Sequence, residues 1–372
     1  MNYDLLAEII LNLITILVLS VLLLIFINHK LKKKNIPPHL LISLILSLLS
    51  QASYMIVFSL SLQGDQPSTN LKYLSDIFLI LVFYSLYLHY ESLSSIRPSF
   101  WRHLIVYGLA ISCITILLLS IVGFIPDKNS AEILIHLTSS IFGVASILYP
   151  LHITLRTHRL TNKRATHIEL ISIFLFLLTG VLYVGEGLIR LFENVSLNYI
   201  FDFIEDVSSL LFIIALVLLM VNYLIHSDYL YQLPFPIHQI MIINKGGTLI
   251  YNRKVSIVTI PNLSFEKEIL MGGFISAIFN VVKETLGSFT QIKYIDTGKY
   301  KIYFSQIPGN NGIVSLIASG GNLLIQKSLE RFAKSIGSDI INRFSTSGEI
   351  GNELIKKIDS FLLKEFSFLT IL

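Results

Sequence analysis

The first 226 residues carry seven apolar runs, each long enough to cross a bilayer as a helix, and this leaves few architectures open. A hydrocarbon core needs about 20 mostly apolar residues per crossing, because a backbone without water must satisfy its N–H and C=O groups within the segment. The runs fall near 5–28, 40–62, 71–90, 104–125, 131–153, 168–189 and 199–225. Composition agrees: only 14% of the chain is charged, where a soluble domain has roughly 25%. The deficit lies in 1–226. Residues 237–372 read as an ordinary globular domain, and 227–236 as a linker in which Pro234 and Pro236 stop any helix running on from the last span. The first run has Asp4 and Glu8 where a signal peptide is basic, and it lacks a small-residue cleavage site, so it reads as a retained span.

Lys and Arg set the orientation, since cytoplasmic loops carry their excess. Lys30, Lys32, Lys33, Lys34, Arg97, Arg102, Arg156, Arg159, Lys163 and Arg164 follow the odd-numbered spans, whereas the opposite loops hold only Lys72, Lys128 and Arg190. Ten against three places the N-terminus outside and the C-terminal domain in the cytoplasm. Tyr90, Trp101, Tyr149, Tyr199 and Tyr223 fall near span ends, where amphipathic rings prefer to sit. The single cysteine, Cys113, excludes an intramolecular disulfide and a cysteine zinc site, and reads as apolar filling. The net charge of +4 is modest and unevenly placed, and does not indicate nucleic acid.

Ionisable groups inside spans are costly enough to be functional candidates. Asp76, Glu186, Asp202, Glu205 and Asp206 all lie within the first turns from the predicted outer surface, with Arg190 one turn from Glu186. Two readings stand. The set forms an outer pocket for a cation, an amine or a proton, or it is a group of interfacial acids reaching water. His89, Glu91, His103, His152 and His158 gather near the cytoplasmic span ends without metal-ligand spacing on a common helix, and are read as solvated interfacial groups; His136 is read as packing. No lysine stands in the last span for a retinal Schiff base, and no Gly/Pro-broken helix pair suggests a secondary transporter. Seven plain helices running directly into a cytoplasmic module resemble the seven-helix sensory regions at the N-termini of some prokaryotic histidine kinases.

In the C-terminal domain, 239–244 and 248–251 alternate like strands around Gly246 and Gly247, a hairpin turn that needs positive φ. A helix over 266–286 follows, then strands over 291–295, 300–305 and 312–318, then helices over 322–344 and 349–366. Tyr300, Ile302 and Phe304 alternate with Lys301 and Tyr303, the period of a half-buried strand. The expected fold is therefore multi-domain: an all-α seven-helix transmembrane bundle, then an α+β domain of order ββαβββαα, its five antiparallel strands forming a meander with three helices on its faces. The 240–251 hairpin, the 270–286 helix with Met271, Gly272, Gly273 and Phe274, and the 301–318 strands resemble the longin domain, a profilin-like fold related to the roadblock family. That resemblance implies a protein-binding platform that works with small GTPases or as a homodimer.

The first helix of this domain is apolar over an arc of about 200°, wider than the roughly 100° stripe that covers a core. Leu270, Phe274, Ala277 and Val281 can face the sheet, leaving Met271, Ile275 and Phe279 as a candidate protein interface unless one of the last two helices packs there. Lys293, Lys299 and Lys301 form a basic sheet edge, either solvated or facing anionic lipid. No phosphate loop, GxGxxG, HExxH, CxxC or GxSxG occurs. The chain is accordingly expected to be a membrane receptor or scaffold without catalytic residues, metal or cofactor. The alternative is a transporter or intramembrane enzyme working through the outer carboxylates.

Overall fold

The structure, a computed structural model, describes residues 3–31, 38–62, 69–94, 99–122, 124, 128–161, 164–192, 198–225, 235–244, 246–255, 273–274, 277–278, 292–298, 300–310, 312–336 and 352–366. The chain divides into two compact units: Met1–Glu91 with Pro98–Leu230, and Ser92–Arg97 with Tyr231–Leu372. The break at Leu230 falls inside the stretch read as a linker. The membership of Ser92–Arg97 in the second unit had no signal in the sequence.

Apart from Ser99 and Phe124, the described residues of the first unit are helical: α1 Tyr3–Leu31, α2 Pro38–Leu62, α3 Thr69–Ser94, whose end falls to the second unit, α4 Phe100–Val122, α5 Lys128–Thr161, α6 Arg164–Phe192 and α7 Asn198–Ile225. Six of these, α2 to α7, contain stretches long and apolar enough to cross a membrane; the described apolar stretch of α1, Asn12–Asn28, is shorter. Lipid tails are as apolar as leucine, so membrane helices associate through small residues and hydrogen bonds, not through exclusion of water. The bundle shows this chemistry. Ser50 on α2 and Ser75 on α3 lie with hydroxyls 3.0 Å apart, and each donates to the other's backbone carbonyl at 3.1 and 3.0 Å in the alternative rotor settings. Ser172 Oγ on α6 donates to Ala215 O on α7 at 2.6 Å, and Asn222 Nδ2 on α7 donates to Ala165 O on α6 at 3.1 Å.

The second unit is built on five antiparallel strands, β1 Ile237–Asn244, β2 Leu249–Lys254, β3 Tyr294–Asp296, β4 Lys301–Gln306 and β5 Gly312–Ala318, in the order β2-β1-β5-β4-β3. The expected meander is thereby corrected. β1 does not lie at an edge but between β2 and β5, with Met241 opposite Asn252 on one side and Ile240 opposite Leu316 on the other. Its sequence gives the reason: Ile240, Met241, Ile242 and Ile243 are consecutive and all buried, and a strand apolar on both faces belongs at the centre of a sheet covered on both sides. The β1–β2 hairpin turns as expected, with Gly247 at φ 83°.

Two helices follow β5, α8 Leu323–Ser335 and α9 Asn352–Glu365. They pack Leu329, Phe332, Ile358 and Leu362 against one sheet face, on Ile240, Ile242, Tyr303 and Leu316. Met241, Ile243, Phe304 and Ile317 form a smaller cluster on the other face. β4 is consequently not half-buried: Tyr303, Phe304 and Ser305 are buried in succession, since both faces of the sheet are apolar there. α9 is also held by charge. Arg253 on β2 grips Asp359 with Nε at 3.2 Å and Nη2 at 2.9 Å, Tyr251 donates to the same carboxylate at 2.5 Å, and Arg331 on α8 reaches Glu365 at 2.7 Å. Burial and the hydrogen bond to Asp359 both push the Tyr251 hydroxyl up from its ordinary value.

Of the helix expected over 266–286, residues 273–274 and 277–278 are described, and they are helical. Phe274 is 63% exposed and Ala277 is exposed as well, so these two do not cover the sheet as expected. Met271, Ile275 and Phe279 lie outside the described residues.

Candidate functional site

The polar groups that the structure draws together stand at one end of the bundle, where α3 and α7 end and α6 begins. Tyr90 on α3 donates to Glu169 Oε1 on α6 at 2.7 Å, and Tyr223 on α7 donates to the same oxygen at 3.3 Å. His89 Nε2 lies 2.7 Å from the Tyr223 hydroxyl, and its ring meets the rings of Tyr90 and Tyr223 edge-on at centroid distances of 5.1 and 5.5 Å. One carboxylate therefore joins three helices. His89, Tyr90 and Tyr223 are buried, and Glu169 is partly buried. Water cannot readily replace these bonds, and a hydrogen bond to a charged acceptor is stronger than one between neutral groups.

Beside this cluster, Glu91 is buried and its Oε1 accepts from Ser99 N–H and from Arg102 Nη2, both at 2.9 Å. Ser99 immediately precedes α4, so the carboxylate sits at a helix N-terminus, where unsatisfied N–H groups and the helix dipole favour negative charge. The Arg102 guanidinium lies 4.0 Å above the ring of Tyr149 on α5, a cation–π contact. Tyr84, Tyr87, His103 and Tyr107 line the adjoining α3–α4 contact, with His103 stacked on Tyr107.

These positions correct the reading of His89 and Glu91 as solvated interfacial groups; Tyr90 and Tyr223 stand near the ends of α3 and α7 and are buried there. His152 is exposed, as an interfacial group would be, and Trp101 is 71% exposed. His158 Nδ1 on α5 lies 3.1 Å from the Thr166 hydroxyl on α6. Glu169 itself was passed over, because a single acid in the first two turns of a span resembles any residue reaching for water. Only its long-range partners distinguish it, and spacing along one helix does not report them.

Of the candidate outer pocket, Glu186 is fully buried within the bundle, which no acid reaching for water would be, while Asp76 is partly buried. The side chains of Arg190, Asp202, Glu205 and Asp206 lie outside the described residues, so the structure does not bring the pocket together or separate it.

In the second unit, His238 Nε2 lies 2.5 Å from Ser319 Oγ, and Ser319 is exposed. A serine nucleophile needs its histidine as acceptor, with Nδ1–H held by a third group. His238 Nδ1 is buried and has no hydrogen-bond partner among the described residues. No third group among the described residues holds Nδ1, so these residues do not show the histidine-orienting partner that such a nucleophile needs. Burial pushes the His238 imidazole below its ordinary value of 6.5. A histidine that resists protonation in the folded state contributes stability above its unfolded value, lost as pH falls from there through the folded value. Acidifying from pH 7 below 6.5 is expected to destabilise the second unit, and His238→Gln is expected to flatten that part of the profile, measured by thermal unfolding at a series of pH values.

Fold and site together define a class: a multi-pass helical membrane protein carrying a separate unit with a five-stranded antiparallel sheet. No family model matches the chain, and neither a curated protein nor a solved structure matches it.

Proposed function

We propose that the chain is a membrane receptor or scaffold in which a seven-helix bundle, α1 included, is coupled to a cytoplasmic longin-like domain that docks a protein partner, a small GTPase being the class implied by that resemblance. The observation that carries the reading is the shared carboxylate of Glu169. Tyr90 precedes Ser92, where the second unit takes up the chain, by two residues, and Tyr223 lies on the helix that leads to Tyr231, where that unit resumes. The two helices that feed the second unit thus hydrogen-bond to one group. A stimulus that shifts either helix must break or remake bonds at Glu169. The strand order β2-β1-β5-β4-β3 and the two helices after β5 support a binding platform at the C-terminus. The Lys and Arg distribution supports its cytoplasmic side.

The test uses the full-length protein in nanodiscs with purified small GTPases, loaded with a GTP analogue or with GDP. Nucleotide-dependent capture that changes in Glu169→Gln supports the reading. A buried Glu186 favours a second reading, transport through the bundle. Cation or proton flux in liposomes that disappears in Glu186→Gln, with no nucleotide-dependent capture, would replace the first reading by the second.

A further inference from the structure

We propose that Glu169 is a proton-binding site, and that uptake of its proton reverses the direction of a hydrogen-bond relay running from His89 through Tyr223. The inference deepens the reading of Glu169 as the group shared by α3 and α7, and it rests on contacts within the bundle alone.

The relay follows from counting protons. Tyr223 Oη lies 2.7 Å from His89 Nε2 and 3.3 Å from Glu169 Oε1. A phenol has one proton to donate, so it serves one of these neighbours and accepts from the other. Two settings satisfy both contacts. With Glu169 ionised, its carboxylate can only accept: Tyr223 donates to it, and the Tyr223 oxygen accepts from His89, which carries its proton on Nε2. With Glu169 protonated, its O–H donates to Tyr223, Tyr223 donates to His89 Nε2, and the His89 proton stands on Nδ1. Tyr90, 2.7 Å from the same carboxyl oxygen, donates to it in both settings. In passing from the first setting to the second, Glu169 gains an O–H bond and the Tyr223 hydroxyl turns from Glu169 to His89. His89 loses its Nε2 proton and gains one at Nδ1, so the net change is the uptake of one proton.

The surroundings favour a carboxyl that changes charge over one held permanently ionised. The partners of Glu169 among the described residues are hydroxyls, not cations. Ionisable groups within spans are costly, and acids and histidines strung together in such places serve as proton relays. The neighbouring titratable groups are engaged elsewhere or exposed. Beside Tyr90 on α3, Glu91 is committed to Arg102 and to Ser99 N–H. On α6 itself, Arg164 and His167 are exposed, and the His167 ring meets that of His158 on α5. From α5, Thr154 brings a hydroxyl within hydrogen-bonding reach of Tyr90, and this group does not titrate. From α2, His39 is near enough to act on His89 through its charge, and its carbonyl accepts from Ser85 on α3. Its side chain stands outside the relay.

Infrared spectroscopy of the full-length protein in nanodiscs, recorded as pH is stepped across the range in which the protein stays folded, tests the site. A pH-dependent C=O band of a protonated carboxyl is expected, and Glu169→Gln is expected to abolish it. Nitrogen NMR of histidine-labelled protein tests the relay, with His89 assigned as the signal missing from His89→Gln. The proton on His89 is expected to move from Nε2 to Nδ1 at the midpoint of the carboxyl band. Tyr223→Phe is expected to abolish that movement, since the phenol is the only link drawn between the two groups. The absence of a band that Glu169→Gln removes overturns the proton site. A His89 proton that moves alike in the wild type and in Tyr223→Phe overturns the relay. Should Glu169→Gln not fold, Glu169→Asp is expected to displace the band, and a band left unmoved overturns the site equally. Neither readout involves a partner, so loss of GTPase capture and failure of the proton site remain separate results.

Discussion

Gly321→Ala is expected to disrupt the second unit while leaving the bundle folded. A Cβ on Gly321 would lie 1.2 Å from Tyr303 Oη and 2.4 Å from Tyr303 Cζ. Tyr303 cannot move aside. It is fully buried on the central part of the sheet, opposite Leu316 on β5 and Tyr294 on β3, under α8 and α9. Inserting one carbon into a well-packed core costs about 1–3 kcal/mol when neighbours can give way. Here a rigid ring stands in its place, and the cost is expected to reach about 3 kcal/mol or more, a large share of a small domain's stability. Limited proteolysis of the full-length protein should then cut within 231–372 and spare the helices. Tyr303→Phe removes the nearest clashing atom, so the double variant should recover part of the loss. Alone, Tyr303→Phe should be close to neutral, because the hydroxyl is buried without a partner among the described residues. Wild-type resistance in Gly321→Ala would mean that Tyr303 does not pack against this glycine.

Glu169→Leu should produce the largest loss in the first unit. It removes the acceptor shared by Tyr90 and Tyr223, taking one bond from each buried hydroxyl and leaving Tyr223 with its His89 contact. Interhelical hydrogen bonds in membranes average well under 2 kcal/mol each, but a buried donor left unpaired adds its own penalty. A total of about 2–4 kcal/mol is expected, read as a lower unfolding temperature in nanodiscs. Glu169→Gln keeps an acceptor oxygen and should lose less, and Tyr90→Phe, which removes one bond only, less again. An unfolding temperature in Glu169→Leu equal to that of the wild type would show that the carboxylate does not hold these helices together.

The spans were legible because lipid imposes a length and a composition on each crossing, and α2 to α7 meet both. The strands were legible for a similar reason: β1, β4 and β5 lie within a residue or two of their expected bounds, and Gly247 turns where positive φ was required. What the sequence did not disclose was partnership. His89 and Glu91 were taken for solvated residues because their distance from a span end is a one-dimensional fact, whereas their burial depends on Tyr223 and Arg102. The meander failed on the same ground. Adjacent strands were assumed to pair, but the uninterrupted apolar run of β1 called for a neighbour on each side, and β5 supplied the second. Tyr303 looked like one member of an alternating strand, and only the helices above it explain why it and Phe304 are both buried.

The adjacency of β1 and β5 bears on the order in which this protein matures. β1 emerges from the ribosome well before β5, and its second edge has no partner until residues 312–318 have been synthesised. Until that moment a strongly apolar strand stands exposed beside the membrane, and closing so long a loop is slow compared with local helix formation. The helices insert during translation, while the sheet acquires its centre only near the end. A ribosome stalled between β4 and β5 would therefore leave an inserted membrane protein with a sticky, unfinished tail, the species on which chaperones and quality-control proteases would act.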